Sequence, residues 1–196
     1  MIAVYGGALS PITLAHEKII RDLSEKYKVV IMPVGDKYEK NDLLPSEDRL
    51  KMLNCLDFNT NVSISTIEID NPNILHTYET LTLLKKEYPN EDIKFVTGSD
   101  NLINFHTWGN AKEILSEFGL LVIKRDGFDF DEIINNNSLL LNYVHNIVAI
   151  ELDIEQGISS TKLRELLKQE NYEIEEINKY VNNKVLDYIL KNKLFK

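Results

Sequence analysis

The sequence predicts an α/β fold, a doubly wound parallel sheet with helices on both faces. Three observations predict it. Short apolar runs alternate with stretches of helical periodicity along the 196 residues, the pattern of successive βαβ units. Glycine-containing or polar turns follow most of the apolar runs, where open parallel sheets carry their ligand loops. No internal repeat, low-complexity tract or linker interrupts the pattern, so residues 1–196 read as one domain that includes the C-terminal helices over 159–196.

The first element is an apolar run at 2–5, long enough for a buried parallel strand. Gly6-Gly7 breaks it, and Pro11 and Thr13 open a helical pattern with Leu14, Ile19, Ile20 and Leu23 as its apolar positions. A strand, a glycine turn and a helix start can cradle a phosphate, because glycine lets the backbone approach an anion and helix-start N–H groups point at it. Thr13 and His16 are three apart and share a side of the first turn. A hydroxyl and an imidazole beside an anion site suggest phosphoryl chemistry.

Residues 28–34 read as the second buried strand, and 36–42 as a polar loop carrying Lys37, Tyr38 and Lys40. Ser46 is a candidate N-cap for the next helix. Residues 62–69 alternate apolar and polar, as a half-exposed strand would. A turn at 71–73 precedes a helix opened by His76 and Thr77. The strand at 92–97 ends in Gly98-Ser-Asp-Asn101, placing Asp100 at a strand end where an acidic side chain can accept from ribose hydroxyls. Trp108 is the single tryptophan and sits in a polar setting, which suits a site wall with a face for ring stacking. A central strand at 118–123 ends at Lys124-Arg125. Residues 129–143 form a helix broken at Asn135-Asn-Asn137, and 147–152 are the last strand. Ser159-Ser-Thr161 then caps a helix that carries Arg164 one turn in, a second anion site. An amphipathic helix closes the chain.

Composition narrows the function classes. The chain is 43% hydrophobic and 27% charged, with a net charge of -9. That balance argues against a broad nucleic-acid or anionic-membrane surface. No apolar run approaches the roughly 20 residues needed to span a bilayer. The N-terminus shows no charged leader, and the single cysteine, Cys55, falls on an apolar helix position. Together these predict a cytoplasmic protein with Cys55 as a buried small hydrophobe. No Cys/His cluster has zinc spacing, and His76, His106 and His145 lack a metal partner, so no metal site is predicted.

Two segments carry a resemblance. Gly6-Gly-Ala-Leu-Ser-Pro-Ile-Thr-Leu-Ala-His16 is similar to Gly-Gly-x-Phe-Asp-Pro-x-His/Thr-x-Gly-His, and Ile158-Ser-Ser-Thr-Lys-Leu-Arg164 matches Ile-Ser-Ser-Thr-x-x-Arg in full. Together they resemble the nicotinate/nicotinamide mononucleotide adenylyltransferase family of the nucleotidyltransferase superfamily, whose fold is Rossmann-like. The segment from Gly98 to Trp108 resembles the family's Gly-x-Asp…Trp element, and Thr77-Tyr-Glu-Thr80 its Thr-Tyr-x-Thr element. The first motif departs from the pattern: Ser10 stands where the family has Asp, Thr13 replaces a His, and Ala15 replaces a Gly.

The resemblance implies transfer of AMP from ATP to nicotinate mononucleotide, with Mg²⁺ accompanying ATP, and His16, Thr13 and Arg164 as catalytic residues. It implies that ATP meets Gly6, Gly7, Ala8, His16, Gly98 and Asp100 on one side, and Ser159, Ser160, Thr161 and Arg164 on the other. The mononucleotide would meet Ser10, Thr13, Lys40, Arg49, Asn101 and Arg125, with Thr77, Tyr78 and Trp108 beside its pyridine ring. Three alternatives stay open: nicotinamide mononucleotide as sole or second acceptor, pantetheine-phosphate adenylyltransfer, and a nucleotide-binding protein without turnover. The expected partners are ATP and a pyridine mononucleotide, and a homo-oligomer is compatible with the sequence.

Overall fold

The computed structural model describes residues 1–195. Among them, six strands form one parallel sheet in the order β3-β2-β1-β4-β5-β6. The strands are β1 (Ile2–Gly7), β2 (Lys28–Pro33), β3 (Val62–Ile64), β4 (Ile93–Gly98), β5 (Leu120–Ile123) and β6 (Ile147–Ile150). The chain runs outward from β1 to β3, then returns to lay β4 on the other side of β1. The switch point therefore lies between β1 and β4, and Gly6-Gly7 and Gly98 end those two strands side by side.

Period-two alternation builds two cores from one sheet. Ala3, Tyr5, Val29, Ile31, Leu121 and Ile123 face one layer. That layer contains α1 (Leu14–Ser24), α2 (Ser46–Asn54), α9 (Ser160–Leu167) and α11 (Asn183–Lys191), numbering helices in chain order. Ile2, Val4, Val30, Met32, Leu120 and Val122 face the other. Against them pack α4 (Thr77–Glu87) and the segment from α5 (Ser99–Leu102) through α6 (Ala111–Glu113). Shorter helices are α3 (Ile67–Asp70), α7 (Phe130–Asn135), α8 (Ser138–Asn142) and α10 (Ile174–Ile177). Burial on both faces explains why the central strands read as unbroken apolar runs.

Several expectations needed correction: the last strand, expected to reach 152, ends at Ile150, and Ser46, expected as an N-cap, is the first residue of α2 behind Pro45. The strand expected over 62–69 stops at Ile64, and 67–70 form the helical turn α3. Ser65 N–H donates to Ile31 O at 2.9 Å as the last ladder bond. The next bond would need an N–H at position 33, which is proline. The strand expected from 118 begins at Leu120, because Ile114–Phe118 close a π-helical turn ended by Gly119 at φ +88°. A Cβ on Gly119 would lie 2.4 Å from Asn146 O, so only glycine fits there.

The C-terminal segment braces the first helix. Leu14 N–H donates to Tyr180 O at 2.9 Å, and Tyr188 Oη donates to Asp48 Oδ1 of α2 at 2.7 Å. No helix among the described residues is long and apolar enough to cross a membrane.

Candidate active site

β1 delivers the chain to the carboxyl edge of the sheet, and the turn from Gly6 to Pro11 carries it into α1. Leu9 in this turn adopts φ +48°, a left-handed conformation that costs a non-glycine residue about 1 kcal/mol. Such strain collects at functional loops. His16 lies in the first turn of α1. Its Nδ1 accepts the backbone N–H of Thr13 at 3.1 Å and lies 2.7 Å from Thr13 Oγ1. With Nδ1 an acceptor, the proton of the neutral ring belongs on Nε2. The edge of Tyr5 meets the imidazole at a centroid distance of 6.3 Å.

Burial, then the charges of Arg125 and Lys40, push the His16 pKa down to about 4. The ring is therefore neutral at pH 7 and offers Nε2–H as a donor. The folded value lies below the unfolded one of about 6.5. His16 thus withdraws stability as pH falls from about 6.5 toward 4, where the unfolded chain takes up the proton first. Imidazole proton resonances of the ligand-free protein should titrate with a midpoint near pH 4 for His16. A midpoint near 6.5 would show a solvated ring.

The expected free N–H donors of the first turn are partly engaged, since Thr13 N–H goes to His16 and Leu14 N–H to Tyr180. The α9 side is also tied down. Ser159 Oγ accepts Lys162 N–H at 3.2 Å as the helix cap, and Ser160 Oγ donates to Pro11 O at 2.8 Å. Arg164 Nη1 donates to Ser10 O at 2.9 Å and Nη2 to Thr161 Oγ1 at 3.1 Å. The two motifs thus meet directly, through the backbone of one and the side chains of the other. Arg164 is only 8% exposed, and its guanidinium braces the phosphate loop where a direct phosphate contact had been expected.

Ser10 is buried as well. Its hydroxyl donates to Asp42 O and accepts Leu44 N–H, both at 3.0 Å, so it faces the 36–45 loop. Arg49 needs the same correction. It is fully buried, with Nε donating to Leu44 O at 2.8 Å, Nη2 to Asp36 Oδ1 at 2.8 Å, and Nη1 to Ala8 O at 3.4 Å. It holds the loop against the turn at Ala8. Lys40 stands exposed on that loop.

At the end of β4, Gly98 leads into Ser99 and Asp100. Ser99 Oγ accepts Arg125 N–H at 2.9 Å, which ties the β5 loop to the β4 loop. Arg125 Nε lies 3.1 Å from Asp100 Oδ1. A Cβ on Gly98 would come within 2.2 Å of that oxygen and 2.5 Å of that nitrogen, so the ion pair occupies the space beside the glycine. Asn101 Nδ2 donates to Thr97 Oγ1 at 3.2 Å.

A cleft of about 320 Å³ opens beside the glycine turn. Trp108 and Phe95 form an aromatic wall, their centroids 5.9 Å apart and their planes at 70°. Gly6, Gly7, Met32 and Val34 line the sheet side, and His76, Thr77 and Thr80 line the α4 side. Trp108 and Thr77 both line this cleft. Tyr78 does not line the cleft: its hydroxyl donates to Glu117 at 3.1 Å and its ring packs edge-on against Phe118. Successive helix residues point about 100° apart, and here that offset turns Tyr78 away from the cleft toward Glu117 and Phe118.

Among the lining residues that sequence reasoning did not single out are Glu68 and Phe95. Glu68 accepts from Thr80 Oγ1 at 2.8 Å, and burial pushes its carboxyl above the usual range. Its position reads as part of an alternating strand, so only the early end of β3 reveals it. Phe95 reads as an ordinary strand residue, and a signal was present in its neighbour Gly6, whose Cβ would touch the Phe95 ring at 3.0 Å.

A model of the cytidylyltransferase-like family matches residues 4–166. The chain belongs to that family. A protein of Acholeplasma laidlawii described as a probable nicotinate-nucleotide adenylyltransferase is 32% identical over 200 residues, covering 100% of this chain and 97% of that protein. One of Clostridium botulinum (strain Okra / Type B1) with the same description is 32% identical over 202 residues, covering 99% and 98%. Among solved structures, Plasmodium falciparum nicotinic acid mononucleotide adenylyltransferase complexed with NaAD superposes with a TM-score of 0.82 at 24% identity, covering 99% of this chain and 96% of that one. The same enzyme complexed with APC gives 0.80 at 23% identity. The shared fold is the Rossmann-like parallel sheet of nucleotidyltransferases.

Proposed function

We propose that the chain transfers AMP from ATP to nicotinate mononucleotide, giving deamido-NAD and pyrophosphate. Full-length relatives at 32% identity support the reaction class. One observation of the structure carries it to the atoms. His16 is fixed by Thr13 as a neutral Nε2–H donor in the first turn of α1, just after the glycine turn whose Ser10 and Pro11 carbonyls meet α9.

In this reading a 5′-phosphate oxygen of the mononucleotide attacks the α-phosphorus of ATP in line. The bond from that phosphorus to the bridging oxygen breaks, and pyrophosphate leaves with the electron pair. Catalysis is positioning and charge stabilisation, with no covalent enzyme intermediate. His16 donates to the α-phosphate as charge builds there. Thr13 orients His16, and the backbone from Gly6 to Ala8 faces the phosphates. Ser159 and Thr161 at the start of α9 take the β- and γ-phosphates, with Ser160 and Arg164 holding that helix to the turn. Lys40 and Arg125 add positive charge over His16. Asp100 takes the ATP ribose, and Asn101 lies beside it. Trp108 stacks on the pyridine ring, with Thr77 at its edge. Mg²⁺ arriving with ATP would supply charge neutralisation on the triphosphate, with phosphate oxygens and water as its ligands.

The test is pyrophosphate release with ATP and Mg²⁺, with nicotinate mononucleotide, nicotinamide mononucleotide and phosphopantetheine in parallel. Turnover with nicotinate mononucleotide well above the other two is expected. Preference for phosphopantetheine, or saturable ATP binding with no release, would sink the reading. Trp108→Ala should raise KM for the mononucleotide about tenfold, the upper range of an aromatic stack, with kcat little changed. An unchanged KM would remove Trp108 from the pyridine site.

A further inference from the structure

The 36–45 loop is fastened at two places that the reaction itself does not require. The Ser10 hydroxyl clasps its backbone at Asp42 and Leu44. The Asp42 carboxylate reaches the other way, to α9 and the residue following it. Oδ1 accepts from Lys168 Nζ at 2.8 Å, and Oδ2 lies 3.6 Å from Arg164 Nε. That Nε is buried and has no hydrogen-bond partner, so Asp42 is the anion nearest to an otherwise unanswered donor. Asp42 takes φ +59°, a left-handed conformation that lets the chain turn back and bring the carboxylate across. Lys40 lies two residues before this fastening.

We propose that Asp42 is a positioning residue. Its carboxylate, held by Lys168 and Arg164, fixes the 36–45 loop, which carries Lys40, against the Ser10 end of the glycine turn. A buried guanidinium whose other donors serve the protein needs a counter-charge, and Asp42 supplies it from the loop. The arrangement also accounts for Ser10. The motif resemblance places an acidic side chain at that position, where here a hydroxyl tethers a loop that brings its own carboxylate to Arg164.

Two readouts test this. The first is the His16 imidazole titration in the ligand-free protein, which does not depend on turnover. Arg125 and Lys40 are the charges acting on His16, and the neutral Tyr5 ring lies at its edge. Asp42→Asn keeps a residue suited to left-handed backbone and removes the charge. It should raise the His16 midpoint above about 4, as should Lys40→Met. The double variant should rise no further than Lys40→Met alone, and Asp42→Glu should restore the low midpoint. The second readout is kcat/KM for ATP, which rests on the adenylyl-transfer reading. It should fall roughly tenfold to a hundredfold in Asp42→Asn, the scale of a misplaced group, with no added loss in the Lys40→Met background.

An unchanged midpoint in Asp42→Asn or in Lys40→Met, or effects that add in the double variant, would overturn the proposal. So would a lower KM for ATP in Asp42→Asn, which would make the carboxylate a competitor of the triphosphate. Coupled titrations in a protein with no transferase activity would uphold the clamp and overturn the reaction instead.

Discussion

Replacing His16 by alanine should lower kcat about 100- to 1,000-fold, the loss measured when one well-placed donor to a transition-state oxygen is removed. The geometry makes the expectation specific. Nδ1 is taken by the Thr13 backbone, so a single donor remains, and the depressed pKa keeps the ring neutral across the working range. The donor is therefore Nε2–H, and its worth rises as charge develops on the α-phosphate. Because that charge is absent from the bound substrates, kcat should fall while KM for ATP changes little. Alanine also removes the acceptor for Thr13 N–H, a cap worth about 1 kcal/mol, so a modest drop in melting temperature accompanies the kinetic loss. Steady-state pyrophosphate release with saturating ATP measures the first, and thermal unfolding the second. A fall in kcat of less than about tenfold would take His16 out of the chemistry.

Arg49→Ala should destabilise the fold by about 3 kcal/mol, the joint scale of lost charged hydrogen bonds and a cavity left by a long side chain. Arg49 is fully buried, and its guanidinium links Leu44 O, Ala8 O and the Asp36 carboxylate. Without it, the Leu44 and Ala8 carbonyls lose their donor and the 36–45 loop loses one of its anchors to the turn at Ala8. The urea midpoint should move down clearly. Any kinetic loss should appear in kcat and in KM for both substrates together, since the whole turn loosens. A substrate-contacting arginine would behave differently, raising KM for one substrate at unchanged stability. That second outcome would return Arg49 to the binding surface.

Both arginines show how far the sequence could be read. Arg49 and Arg164 stood out in the sequence as helix arginines near two turns, and the structure brings both to one turn, at the carbonyls of Ala8 and Ser10. Their roles were not legible, because both reach that turn through the protein's own carbonyls and carboxylates. Tyr78 shows a smaller limit. The Thr77-Tyr78 pair was read as one unit, but the facing of α4 puts only Thr77 on the cleft and turns Tyr78 to Glu117. At 62–69, alternation alone could not foresee that Pro33 on the neighbouring strand would end the ladder at Ile64 and bring Glu68 into the cleft.

By itself, the sequence determined the layer architecture, since apolar runs and helical periodicity depend on neighbours along the chain. It also determined the glycine turn after β1 and the Thr13–His16 pairing, which follow from a strand end and a short spacing. Tertiary structure alone decided which donors remain for a substrate. Arg164 meets a carbonyl 154 positions away, Lys168 a carboxylate 126 away, and Ser10 a loop about 30 away. Such partners are chosen by the folding of remote segments onto one sheet edge. There, a buried charge takes whatever counter-charge the fold brings within reach.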